Sequence, residues 1–337
     1  MARTTSKYAE TTSTVDLSDA LSDIMRSMRI SGSVLLNEDY APPWGVTIPS
    51  AERLRTVMKL DSGVRVVAFH VVKRGYIELT PDTRRNEDPV TVESDEMAIC
   101  FGGLPHRVSQ GVDTKSVSAE SLLTGGENPF QPDAKSKARS ASLMCGVFMM
   151  RNLELNPLFS SLPAVLHLSA QRPGQQNHLP EVLKWMTQEA EQITPGSTFV
   201  IERLLELLCA EVLRAHLESS MEETGWFSGL KDPVVGKAIS MIHARPGNPW
   251  TVDRLAQGIA MSPSRFAARF TAALGESPMA YVTKWRMNVA GRLLEESRQG
   301  VQEIAADVGY ENVAAFTRAF RRHVGVPPAT WRSCQGR

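Results

Sequence analysis

The sequence predicts a multidomain α+β chain. A β-barrel or sandwich with flanking helices comes first, and an all-α part with two helix-turn-helix units follows. Three observations carry this. Short β-prone runs separated by Gly, Pro and Asp turns fill residues 30–118, the pattern of an all-β barrel or sandwich. Beyond residue 157 the apolar spacing turns helical. Within the last hundred residues, a segment recurs 50 positions later. The 337 residues are 42% hydrophobic and 22% charged, an ordinary globular composition that excludes a disordered chain. No apolar run approaches the ~18 residues a membrane helix needs, so no membrane partner is expected. The length suggests about two domains.

The elements follow in order. Residues 1–15 read as a mobile tail. Residues 16–28 carry Leu17, Leu21, Ile24, Met25 and Met28 at helical spacing behind an Asp16 or Ser18 cap. Strands are expected at 33–36, 44–48, 64–72, 76–80, 90–92, 97–101 and 106–108. A polar loop at 124–140 precedes a late strand at 142–150, apolar on both faces. After Asn156-Pro157, the short apolar piece 162–169 is read with the helical part. Residues 179–192 form an amphipathic helix with Val182, Leu183, Trp185, Met186 and Ala190 on its apolar side. The longest helix, 198–218, has a stripe of Ile201, Leu204, Leu205, Leu208, Cys209, Val212, Leu213 and Leu217. Both core packing and a dimer seam suit that stripe. Residues 221–231 read as a linker. The domain boundaries expected are 16–170, a helical or dimerisation region at 171–220, and a C-terminal domain at 232–337.

Lys+Arg and Asp+Glu both total 37, so the formal charge is +0. That zero is a sum of opposites. Residues 232–337 hold 14 basic and 8 acidic side chains, a net of +6, and the rest of the chain is −6. Such asymmetry points to a nucleic-acid surface at the basic end. The four cysteines, Cys100, Cys145, Cys209 and Cys334, form no C-x-x-C motif. The first twenty residues are polar and Ser/Thr-rich, so no signal peptide is expected, and the location is expected to be cytoplasmic, with reduced thiols.

The repeat carries the strongest signal. Phe266, Phe270, Gly275 and Pro278 recur as Phe316, Phe320, Gly325 and Pro328, and Leu255-Ala256 recurs as Ile304-Ala305. Each copy has the physics of a helix-turn-helix, at about 251–271 and 301–322. Thr251 caps a short first helix whose small Ala256 lets the second cross closely. Ser262-Pro263 starts the second helix as N-cap and N1 proline. In the second copy Gly309 supplies the turn and Asn312 the cap. The phenylalanines, four apart, face inward. Ser262, Ser264, Arg265, Ala268 and Arg269, then Asn312, Ala315, Arg318, Arg321 and Arg322, are left to face out. Small residues with arginine suit a major groove, where bulk is limited and arginine reaches guanine edges or phosphates. Between the copies, residues 278–296 form a helix with two apolar faces. Its ~27 Å length suits two recognition helices about one DNA turn apart, ~34 Å, on one side of a duplex.

This segment resembles the DNA-binding domain of AraC/XylS-type transcriptional regulators. The resemblance rests on Leu255-Ala256, Met261-Ser262-Pro263-Ser264, Phe266-x-x-Arg269-Phe270, Gly275-Glu276-Ser277-Pro278, Trp285-Arg286-Met287, Ile304-Ala305-x-x-Val308-Gly309-Tyr310, Phe316-x-Arg318-Ala319-Phe320 and Gly325-Val326-Pro327-Pro328. Val313-Ala314-Ala315 departs from the family's polar or aromatic residues there, which implies fewer direct base contacts from the second unit. The N-terminal half is similar to the family's cupin-type sensor through Phe69-His70-Val-Val-Lys-Arg-Gly75, Gly102-Gly-Leu-Pro105-His106, Met144-Cys145-Gly146-x-Phe148 and Leu162-Pro163-x-x-Leu166-His167-Leu168.

The resemblance implies a sequence-specific transcriptional regulator, not an enzyme, that binds double-stranded promoter DNA as a homodimer, with RNA polymerase as a further partner. A small-molecule effector would bind in the barrel, lined by Phe69, His70, Tyr76, Phe101 and His106, with Cys100 nearby. Metal-binding cupins present an H-x-H pair, a Glu and a distant His. Here Val71-Val72 follow His70, so that pair is missing, and only Glu78 and His106 stand as further candidates. No metal and no cofactor are therefore expected. The alternative is a metal-dependent cupin enzyme with an accessory helical domain.

Overall fold

The computed structural model describes residues 17–61, 63–82, 88–112, 115–151, 156–169, 178–192, 194–219 and 225–335. The tail expected at 1–15 lies outside them. The described residues fall into two compact units, one within Met25–Met221, the other within Glu222–Arg337 together with the described part of Met1–Ile24. The first helix, α1 (Leu17–Ser27), thus begins with the C-terminal unit, whereas the sequence placed the first boundary at residue 16.

The N-terminal unit is built from ten strands: β1 (Ser31–Tyr40), β2 (Trp44–Ile48), β3 (Arg65–Arg74), β4 (Tyr76–Pro81), β5 (Val90–Glu93), β6 (Glu96–Cys100), β7 (His106–Gln110), β8 (Ser116–Ser118), β9 (Ala141–Met150) and β10 (Leu166–Ser169). They make two five-stranded sheets, β1-β9-β3-β6-β10 and β5-β4-β7-β2-β8. Their pairings are antiparallel, apart from the parallel pair β2 with β8. Strands of both sheets feed a shared core. β3 contributes Val66, Ala68 and Val72, β4 contributes Ile77 and Leu79, β6 contributes Ala98 and Cys100, and β9 contributes Leu143 and Val147. Because side chains alternate along a strand, Val67, Phe69 and Val71 face the other side of the first sheet and are buried there. β9 is buried on both faces, as its unbroken apolar run suggests. Gly146 on β9 permits this packing, since a Cβ there would sit 2.5 Å from the Phe69 ring and 2.4 Å from the Ser33 carbonyl.

Two short helices flank the sheets: α2 (Ala51–Val57) packs on β3, and α3 (Ala119–Leu123) packs on β2 and β8. The helices α4 (Leu179–Glu191) and α5 (Ser197–Ser219) pack on each other, and α5 also packs on β1. The stripe read from the sequence is largely consumed here: Leu204, Leu205, Leu208, Cys209, Val212 and Leu213 are buried. Trp185, placed on the apolar side of α4, is instead 55% exposed. Residues 162–169 end in strand β10 rather than continuing the helical part. Leu166 and Leu168, at every second position, are buried on the same face of the first sheet as their partners Ile99 and Met97, opposite the shared core, and the segment pairs with β6.

The C-terminal unit is all-α: α6 (Trp226–Lys231), α7 (Pro233–Ala244), α8 (Val252–Gly258), α9 (Pro263–Leu274), α10 (Pro278–Glu296), α11 (Val301–Asp307), α12 (Val313–Val324) and α13 (Pro328–Gln335). The linker expected at 221–231 is corrected by α6. Its Trp226, Phe227 and Leu230 are buried, and the Trp226 indole N–H donates to the Tyr281 hydroxyl at 2.9 Å. Charges and glycines suggested a linker; the aromatic pair outweighs them, since each ring removes a large apolar area from water.

A candidate nucleic-acid interface and a buried histidine–cysteine cluster

Each helix-turn-helix is held by local signals. In the first, the Thr251 hydroxyl accepts from Arg254 N at 3.2 Å and starts α8. Ala260 closes the turn at φ +54°. Ser262 opens α9 with Pro263 at the first helical position, and its hydroxyl makes no cap bond. Gly275 ends α9 in the left-handed conformation. In the second, the Gly300 N–H donates to the Glu303 carboxylate at 2.7 Å. Gly309 turns the chain at φ +81°, and the Asn312 side chain accepts from Ala315 N at 3.0 Å. Phe266, Phe270, Phe316 and Phe320 are fully buried. Each pair meets at 5.6–5.7 Å between ring centroids, a distance suited to tilted or edge-on aromatic contact.

A buried polar chain braces the middle of the unit. The Tyr281 hydroxyl lies 2.8 Å from His243 Nε2, and the His243 ring stacks on Trp285 at 3.6 Å. Burial drives the His243 pKa down to about 3, so the ring is neutral at pH 7. Arg286 ties the loop after α7 to α10, donating to the Pro246 and Asn248 carbonyls at 2.9 and 2.6 Å. α10 packs against α7, α9, α11, α12 and α13.

With both phenylalanine pairs turned in, Ser262, Ser264, Arg265, Ala268, Asn312, Arg318, Arg321 and Arg322 are exposed, and Ala315 is half-buried. Arg265, Arg318, Arg321 and Arg322 make no ion pair among the described residues. Arg269 differs. Its guanidinium bonds the Asp232 carboxylate at 2.8 Å, and Asp232 in turn caps α7 through Val234 N and Val235 N. Arg269 is exposed on the outward face where the sequence placed it, and its ion pair also ties α9 to the start of α7. Asn312 is likewise engaged as a cap. Arg321 and Arg322 lie in the last turn of α12, where positive charge also complements the helix dipole.

In the N-terminal unit the five expected lining residues separate. His70 on β3 and His106 on β7 meet inside, Nε2 to Nε2 at 2.8 Å. Phe69 points to the opposite face of β3 and packs on Phe148. Tyr76 is 41% exposed, because Ile77 and Leu79 take the inward positions of β4. Glu78 shares the outward side and is no partner for the histidines. Phe101 lies just past β6, against Phe159, at a cleft of ≈ 370 Å³ lined also by Arg65, Gly102, Leu162 and Ala164. A second cleft, ≈ 380 Å³, lies between β3 and α4 beside Val71, Lys73, Leu183 and Lys184.

Around the two histidines stand two cysteines that the sequence did not single out as a group. Cys145 Sγ is 3.1 Å from His70 Nδ1, and Cys100 Sγ is 3.6 Å from His106 Nε2. His106 Nδ1 lies 3.1 Å from the Leu104 carbonyl. Burial lowers both histidine pKa values, His70 most, and pushes both thiols up to about 12. The signal was present as alternation. Cys100 and Cys145 occupy inward positions on β6 and β9, but only the strand register brings them to His70.

A double helix-turn-helix that follows a two-sheet barrel in the chain defines a class of DNA-binding regulator. A helix-turn-helix domain family matches residues 255–333, and a cupin family matches residues 19–218. An AraC-like transcription regulator of Streptomyces antibioticus is 37% identical over 273 residues, spanning 80% of this chain and 87% of the relative. One of Streptomyces lividans is 30% identical over the same coverage. Among solved structures, the DNA-binding domain of AdpA in complex with a target DNA is 30% identical, covering 30% of this chain and 91% of that one, at a TM-score of 0.29. The chain belongs to the AraC-like transcription regulators, with an N-terminal cupin domain and a C-terminal DNA-binding helix-turn-helix domain. It is a regulator, not an enzyme, and DNA is its partner. None of the helices among the described residues is long and apolar enough to cross a membrane.

Proposed function

We propose that the chain is a cytoplasmic one-component regulator that reads promoter DNA through both α9 and α12, as a homodimer, in response to a small-molecule effector. The observation that carries the reading is the repeat in three dimensions: two equivalent second helices, each with a buried phenylalanine pair and exposed arginine outside, set on the common rod α10. Ser264, Arg265 and Ala268 are the first unit's groove residues. Arg318, Arg321 and Arg322 serve the second, chiefly through phosphates, since small residues open α12. The dimer surface is the outward stripe of α5, where Phe199 is 66% and Leu207 43% exposed and Arg203 lies between them, its guanidinium 5.5 Å from the Phe199 ring. The inward stripe is already occupied. For the effector, the cleft at Phe101 and Arg65 offers an aromatic floor and a cationic rim, and its volume falls in the range of small-ligand sites. RNA polymerase completes the partner set.

The test is DNA affinity against salt, on promoter fragments selected from a genomic library. Each phosphate contact adds about one unit to the slope of log K against log salt. Arg265→Ala and Arg318→Ala are each expected to weaken binding, with Arg318→Ala lowering the slope by about 1. Arg269→Ala is expected to leave the slope intact and lower thermal stability. Unchanged binding by the Arg265→Ala, Arg318→Ala double variant overturns the assigned face. Leu207→Arg is expected to give a monomer by light scattering.

A further inference from the structure

The geometry points to a metal site in the sensor interior: we propose that His70 Nε2, His106 Nε2 and Cys100 Sγ bind one zinc ion. Cys145 and the Leu104 carbonyl orient the two imidazoles from behind. The proposal is independent of the effector reading and uses a donor set different from the H-x-H, Glu and His of metal-binding cupins.

The hydrogen bonds fix the protons. A carbonyl only accepts, so His106 Nδ1 carries its hydrogen toward Leu104 O, and Nε2 is left with its lone pair. His70 Nε2, 2.8 Å away, must then donate, which leaves His70 Nδ1 to accept from the Cys145 thiol at 3.1 Å. One shared proton therefore holds two buried imidazoles nose to nose. A cation can take that proton's place. His106 is already in the ligating tautomer. For His70 the ring proton moves from Nε2 to Nδ1, where Cys145 Sγ becomes its acceptor. The Cys100 thiol proton is released, so the ion meets two neutral imidazoles and one thiolate. Orientation of a ligating imidazole by a second group on its far nitrogen is the usual arrangement at metal sites.

Distances agree with a tetrahedral centre. Zn–N of ~2.0–2.1 Å and Zn–S of ~2.3 Å require donor separations of about 3.4 Å for N to N and about 3.6 Å for N to S. Cys100 Sγ stands 3.6 Å from His106 Nε2. The histidine nitrogens need to open by about 0.6 Å. All three donors lie within 4.8 Å of one another, and all three residues are buried. Two imidazoles and a thiolate suit zinc, which in such three-ligand sites keeps a fourth position for water or another ligand. A Cys100–Cys145 disulfide is ruled out by the sheet. β3 lies between β6 and β9, which sets the two backbones about 9–10 Å apart, beyond the ~7 Å a disulfide spans.

The experiment uses the full chain, purified without chelator, with metal analysis and replacement of zinc by cobalt(II). One zinc per chain is expected. The cobalt-loaded wild type should show the visible bands of a four-coordinate site and a near-ultraviolet thiolate-to-cobalt band. Cys100→Ser should abolish that band and His106→Gln should lower zinc affinity at least 100-fold, each with its far-ultraviolet circular dichroism unchanged. Cys145→Ser should keep the stoichiometry and weaken affinity 10- to 100-fold. The wild-type cobalt spectrum reads the site even where a variant fails to fold. Absence of the thiolate-to-cobalt band in the wild type, zinc retained in full by both Cys100→Ser and His106→Gln, or preference for copper(I) with no zinc uptake overturns the assignment.

Discussion

Gly309→Ala is expected to cost the C-terminal unit about 2–4 kcal/mol. Gly309 sits at φ +81°, and a Cβ there would lie 2.6 Å from the Gly247 carbonyl oxygen and 2.7 Å from Arg286 Nη2. The left-handed conformation alone costs an alanine ~1–2 kcal/mol, offset by ~0.5–1 kcal/mol from the stiffer unfolded chain. The carbonyl belongs to the backbone and cannot turn away. The loop after α7 must therefore move, and with it the two bonds from Arg286 to Pro246 and Asn248; a hydrogen bond from a charged donor is worth ~1.5–3 kcal/mol. The first unit supplies the control. Ala260 holds the equivalent turn position at φ +54° and is exposed. Ala260→Gly relieves the conformation against the same entropy and should change stability by between about 0 and +1 kcal/mol. Urea unfolding followed by tryptophan fluorescence measures both, because Trp226, Trp250, Trp285 and Trp331, four of the six tryptophans, lie in this unit. A Gly309→Ala variant within ~0.5 kcal/mol of wild type, or an Ala260→Gly variant that loses more than Gly309→Ala, refutes the reasoning.

Acid should weaken the same unit early. The unfolded chain protonates His243 near its ordinary 6.5, whereas the buried ring resists to about 3. Its stability contribution is therefore complete above pH ~6.5 and is lost as pH falls through that window, by up to ~1.4 kcal/mol per pH unit. Melting temperatures at pH 7 and pH 5 should separate in wild type and converge in His243→Gln. Asn288 is buried in α10, and neither its amide nitrogen nor its oxygen has a hydrogen-bond partner. Asn288→Leu should therefore stabilise by ~1–2 kcal/mol in the same urea assay. Asn312→Ala removes the cap of α12 and should cost ~1 kcal/mol, with weaker DNA binding as the recognition helix frays.

The C-terminal half was legible because it states its pattern twice. Phe266 and Phe270 fix which side of one helix is inside, and Phe316 and Phe320 repeat the statement, so the exposed arginines followed. The ion pair of Arg269 was not legible, since its partner Asp232 lies 37 positions away and precedes the repeat. The strand series was found from its turns. β1 ran longer than its apolar core because Asn37, Glu38 and Asp39 are held by Lys73, Asn128 and Arg74 rather than by burial. α2 was missed although Ser50 announces it by accepting from Arg53 N. The interior of the N-terminal unit was half legible. His70 and His106 were named, but Phe69 and Tyr76 fell on outward positions. Inside and outside differ by one residue along a strand, and only pairing decides which.

The rod α10 also constrains the DNA. Any duplex that engages both α9 and α12 meets two readers whose separation and angular phase are set by one continuous, buried helix. Operator variants can then change letters within either reading frame, but cannot gain or lose base pairs between the frames. A single inserted pair rotates the second frame by roughly a tenth of a turn, and this strain must be taken up by twisting the double helix, since the protein has no joint there to absorb it.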